Sequence, residues 1–158
     1  MTEENPTINL TTPEIPLEVV NLLTGRGFIT GKSGSGKSNT AGLLAEKLLE
    51  QGYPLLIVDT EGEYYGLKEQ YEVLHVGADD ECDLQVSTEH AEKIAEITLE
   101  QNIPIILDVS GYIEEDKAEN IIQETVQSLF NKEKKAKKPY LVIAEEIHEY
   151  VPEKHGLS

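Results

Sequence analysis

A lone cysteine, Cys82, sets the first limit: an internal disulfide is excluded, and no cysteine-based zinc site is expected. It reads as a small residue in a polar loop. Arginine is as scarce, and Arg26 is the only one among 13 basic residues. Small-molecule kinases crowd arginines around the transferred phosphoryl group to neutralise its charge, so that class fits poorly. Bases as a whole are outnumbered by 30 acids, for a formal net charge of −17. Nucleic-acid backbones are held by clustered Lys and Arg, which argues against a broad nucleic-acid surface on the isolated chain. No run of about 18 apolar residues occurs, so no membrane span is predicted. The opening "MTEENPTINLTTPEIP" is acidic and polar, unlike a signal or transit peptide, and the expected location is the cytoplasm.

What remains is enough for one ordinary domain: 158 residues, 39% of them hydrophobic. Residues 1–16 carry three prolines and little periodicity, and read as a flexible lead-in to a domain over 17–158. Short apolar runs then alternate with helical patterns. "GFIT" (27–30), "PLLIVD" (54–59), "YEVLHV" (71–76), "PIILDV" (104–109) and "PYLVIA" (139–144) read as strands. "NTAGLLAEKLLEQG" is a helix stopped by Gly52, "TEHAEKIAEITLEQN" a helix capped by Thr88. "EEDKAENIIQETVQSLFNKEKK" is a long helix expected to bury Ile121, Ile122, Val126, Leu129 and Phe130. Strands alternating with helices predict an α/β fold with a mainly parallel sheet flanked by helices.

"GKSGSGKS" satisfies G-x-x-x-x-G-K-[ST] and follows a strand and opens a helix, as a phosphate-binding P-loop must. Gly31, Lys32, Ser33, Gly34, Ser35 and Gly36 form the loop, whose glycines let backbone N–H groups curl toward phosphate oxygens. The helix behind them aims its positive end at the same anion. Lys37 reaches the β- and γ-phosphates as a point charge, and Ser38 offers its hydroxyl to Mg²⁺. The side chain of Lys32 is expected to face solvent.

A P-loop needs an acid at the end of a neighbouring strand. Three strands end in acid, at Asp59, at Asp108 and at "LVIAEE", and only the last supplies two consecutive carboxylates. Glu145 is assigned to Mg²⁺ and Glu146 to the water that attacks the γ-phosphate. "DTEG" (59–62) matches the D-x-x-G of GTPases. Against that reading, the preceding connection leaves no room for a switch segment, and "NKEK" (131–134) lacks the aspartate of N-K-x-D. His148 and His155 fit no common zinc spacing. "KEKKAKK" (132–138) is expected to be a solvated helix end.

"ITGKSGSGKSNTAGLLAEKLL", "LLIVDTEGEY", "PIILDVSG" and "YLVIAEEIHEYVP" stand in the order found in HerA-like ATPases, and residues 15–152 resemble that family of P-loop (RecA/ASCE-like) proteins. The resemblance implies a hexameric motor that uses ATP and Mg²⁺ to move duplex DNA through its pore, in some members beside a nuclease partner. It implies roles for Lys37, Ser38 and Glu146 as above, a phosphate-side position for Asn39, and an acid near the nucleotide at Asp59. Family members continue past the glutamate pair with a sensor strand and an arginine that completes the neighbouring subunit's site. The chain ends at Ser158, so the expectation is the N-terminal part of such a motor domain, an ATPase that binds ATP and hydrolyses it poorly on its own. A nucleotide-binding module without useful turnover is the alternative, and a small GTPase a third reading.

Overall fold

Five short segments line up side by side as one parallel sheet in the computed structural model of the chain, which describes residues 7–9, 16–18, 37–136 and 140–144. In chain order the elements are β1 (Thr7–Asn9), β2 (Pro16–Glu18), α1 (Lys37–Glu50), β3 (Leu55–Asp59), β4 (Leu74–Gly77), β5 (Leu84–Gln85), α2 (Ala91–Leu99), β6 (Ile105–Asp108), α3 (Glu115–Ala136) and β7 (Leu141–Ala144). The sheet order is β5-β4-β6-β3-β7. Every described pairing within it is parallel, as the alternation of strands and helices predicts.

Every residue of β3 and β6 is buried, because helices cover both faces of the sheet. The period of two sorts their side chains. Leu55 and Ile57 join Ile106 and Ile143 against Ala41, Leu44, Ala45 and Leu48 of α1. Leu56 and Val58 join Ile105 and Leu107 on the opposite face, against Ile94, Ala95 and Leu99 of α2 and Ile121, Ile122 and Leu129 of α3. The helices α2 and α3 also pack on each other. Gly52, just past the end of α1, has φ +75°, the left-handed geometry that makes glycine a helix stop.

Several sequence expectations shift. Phe130 is not a core residue; it is 43% exposed, with the Lys134 ammonium 4.6 Å from its ring centroid. Val126 is only partly buried, and Ala118 and Thr125 take core positions instead. The core-facing stripe runs 118, 121, 122, 125, 129, and position 130 lies a further 100° around the helix. Strand β4 begins at Leu74 rather than at Tyr71. Ser87, not Thr88, precedes the helical turn Thr88–His90 that leads into α2, and its N–H donates to His90 Nδ1 at 2.9 Å. Segments β1 and β2 pair antiparallel, with Ile8 opposite Leu17, within and just after the stretch read as a lead-in.

Candidate nucleotide-binding site

Helix α1 opens on the motif itself: its first residues are Lys37, Ser38 and Asn39. No acid stands in its first turn, so nothing there competes for the positive end of the helix dipole. Only residues 51–54 separate its end from β3, and its apolar face packs on that strand. It therefore runs antiparallel to β3. Its start lies toward the C-terminal edge of the sheet, where open parallel sheets bind ligands. The four-residue connection also leaves no room for a GTPase switch segment.

The C-terminal edge gathers the strand-ending acids. Asp59 pairs in register with Asp108, and Asp108 with Gly77 of β4. On the other side of β3, Val58 pairs with Ala144, the last residue before the glutamate pair in sequence. Among the described residues β7 has a single neighbour, β3. Gly31, Lys32, Ser33, Gly34, Ser35, Gly36, Glu145 and Glu146 lie outside the described residues, as do strand 27–30 and His148 and His155.

Asp59 is buried, and its carboxylate is already engaged. Oδ1 accepts the N–H groups of Gly62 at 2.8 Å, Glu63 at 3.1 Å and Glu61 at 3.3 Å, and Oδ2 accepts that of Tyr64 at 3.0 Å. The "DTEG" tetrapeptide is thus a turn wound around its own aspartate. Gly62 makes the turn possible: its φ is +74°, and a Cβ there would sit 3.2 Å from the Ser110 hydroxyl. Asp59 shapes the loop beside the site through backbone bonds.

A second cluster on this edge was not anticipated from sequence. His75 Nε2 stands 2.9 Å from Asp108 Oδ2, both residues buried, and Cys82 Sγ stands 3.8 Å from the same nitrogen. Asp108 Oδ1 accepts the Ser110 N–H and hydroxyl. Burial raises the Cys82 thiol above its usual range, and the nearby Asp108 and Asp79 carboxylates add to that rise. The His75 Nδ1 has no hydrogen-bond partner, an exposed cost in a buried ring.

The family model for the central domain of the helicase HerA matches residues 7–155. The chain belongs to the HerA central-domain family. A P-loop motif opening α1, a parallel sheet and this membership make it a P-loop nucleotide-binding protein. Among curated proteins, it is similar to an adenylyl-sulfate kinase of Bacillus pumilus (strain SAFR-032), 29% identical over 108 residues. That alignment covers 68% of this HerA-family chain and 51% of the kinase, so the chain spans about half the length of the relative. No solved structure matches it. Among the described residues, no helix is long and apolar enough to cross a membrane.

Proposed function

We propose that the chain is the nucleotide-binding part of a Mg²⁺-dependent, HerA-like ATPase that acts on duplex DNA as a ring of identical subunits. The observation that carries this reading is a helix starting at Lys37 and Ser38, directed at the sheet edge where β7 runs toward Glu145 and Glu146. The loop Gly31–Gly36 donates backbone N–H groups to the phosphates, with Asn39 behind it in the first helical turn. Lys37 holds the β- and γ-phosphates, and Glu146 accepts a hydrogen bond from water and turns its oxygen toward the γ-phosphorus. The new P–O bond forms as the bond to the β–γ bridging oxygen breaks, leaving ADP and phosphate. Ser38 and Glu145 supply the hard oxygen donors that suit magnesium, which neutralises charge on the phosphate oxygens when bound. Asp59 acts at one remove, by holding the 60–64 turn against this edge.

The similarity to an adenylyl-sulfate kinase raises phosphoryl transfer to a small molecule as a second reading. A single arginine in 158 residues counts against it. A module that binds ATP without turnover remains the plainer alternative. One assay separates these: phosphate release from ATP by the purified chain, with and without duplex DNA and with GTP in parallel. The expected result is Mg²⁺-dependent phosphate release from ATP, raised by DNA, with GTP a poorer substrate. Binding with no phosphate release identifies a module without turnover. Release that needs a small-molecule acceptor identifies a kinase.

A further inference from the structure

We propose that His75, Cys82 and Asp108 form a binding site for one divalent cation of the zinc class, separate from the nucleotide site. The three donor atoms lie within 4.8 Å of one another. One imidazole, one sulfur and one carboxylate suit zinc-like ions, whereas magnesium and calcium take all-oxygen sets. The cysteine count excludes a cysteine-rich site, and a mixed site needs only the one thiol present.

The geometry is close to closed. Tetrahedral zinc with its usual bond lengths sets N···O near about 3.4 Å and N···S near about 3.6 Å. His75 Nε2 is 2.9 Å from Asp108 Oδ2 and 3.8 Å from Cys82 Sγ. The first pair has to part by a few tenths of an ångström, and the sulfur has to move in. The sulfur is the member that can move, since Cys82 sits on the connection between β4 and β5 and is only partly buried.

The surroundings hold the donors in place. The Asp83 N–H donates to the His75 carbonyl at 2.8 Å, and the His75 N–H donates to Asp83 Oδ2 at 2.9 Å. The Cys82 N–H donates to the Asp79 carbonyl at 3.1 Å. These bonds fasten the cysteine-bearing connection to the strand that carries the histidine. Ser110 bonds to Asp108 Oδ1 and leaves Oδ2 facing the imidazole. Gly77 supplies the room: a Cβ there would meet the Asp108 carbonyl oxygen at 2.5 Å and Cys82 Sγ at 2.9 Å. Any side chain at this position would collide with the β6 backbone and push the sulfur away from its present place. Three protein ligands leave a fourth position for water.

The cluster is set off along the sheet from the strand that leads to the glutamate pair. It lies on β4 and β6, while the glutamate pair follows β7, and β3 stands between β6 and β7. Strand spacing puts β6 and β7 about 10 Å apart. A bound ion would clamp the 78–83 connection onto β4 and β6.

The test is cobalt(II) titration of the full chain after removal of metals. Cys82 is the only cysteine, so a thiolate-to-cobalt charge-transfer band reports this site alone. The expected result is that band, saturating at one equivalent, with tetrahedral ligand-field bands beside it. Cys82→Ser should abolish the charge-transfer band and weaken cobalt binding at least about tenfold. To keep the test independent of that variant's folding, a second measurement uses the unaltered chain: zinc should slow iodoacetamide alkylation of Cys82 at least about tenfold. Absence of the band, saturation at half an equivalent, or alkylation unaffected by zinc would each overturn the proposal.

Discussion

Replacing Glu146 with glutamine is expected to cut ATP turnover about 10²–10³-fold and leave ATP affinity within about twofold. The substitution keeps the size of the side chain and removes the negative charge to which the proposed function gives the orienting and polarising of the attacking water. That interaction strengthens as the water oxygen approaches phosphorus, so its loss falls on the transition state rather than on bound ATP. In the proposed site the phosphates are held by the motif at the start of α1, which the change does not touch. Single-turnover phosphate release, set beside equilibrium ATP binding, separates the two effects. If turnover and affinity fall together, Glu146 holds the nucleotide or the fold, and the assignment of the water to it fails. Glu145→Gln is the companion variant, and its loss should be partly recovered at high Mg²⁺.

Asp59→Ala is expected to lower unfolding stability by about 3 kcal/mol or more in urea titrations. Four backbone N–H groups donate to this one carboxylate, and alanine leaves them without an acceptor. The Tyr64 N–H is buried, so water does not readily replace the lost oxygen there. Asp59→Asn keeps one acceptor oxygen and should lose less. Its amide nitrogen then faces an N–H donor on the other side. A loss below about 1 kcal/mol in the alanine variant would mean that the turn closes without its aspartate. The same variants separate support from contact at the nucleotide. If Asp59 acts through the loop, ATP affinity should follow loop stability, and Gly62→Ala should weaken it in the same direction.

The fold was legible where burial is uniform. "LLIVD" and "IILD" announce strands covered on both faces, and they are adjacent interior strands of the described sheet. Helix α3 was legible as a helix but not in its phase at the end: Phe130 is the more apolar residue, and Thr125 is the one the packing buries. Hydrophobicity alone does not see that one residue of rotation carries a side chain from core to solvent. "DTEG" was legible as a motif with an acid at a strand end. That its carboxylate is filled by the turn following it depends on backbone geometry that no spacing rule encodes.

The His75, Cys82 and Asp108 cluster was legible only in its parts. His75 sits in an alternating strand pattern, Cys82 in a polar loop and Asp108 at a strand end. Between His75 and Asp108 lies the whole of α2, and parallel pairing of β4 with β6 brings them together. Local pattern carries no information about which strands become neighbours. A single cysteine carries no metal-binding spacing in sequence, although mixed donor sets need only one.

The central claim is that the motif opening α1 holds the phosphates of ATP. Calorimetric titration with Mg-ATP, comparing the unaltered chain with Lys37→Ala, tests it most directly. A charge-assisted contact to phosphate contributes about 1.5–3 kcal/mol, so affinity should drop about 10- to 100-fold in the variant. Circular dichroism should be unchanged, because Lys37 stands at the first position of α1, where alanine is tolerated. ATP binding of equal strength in both proteins would contradict the account, since the nucleotide would then be held elsewhere.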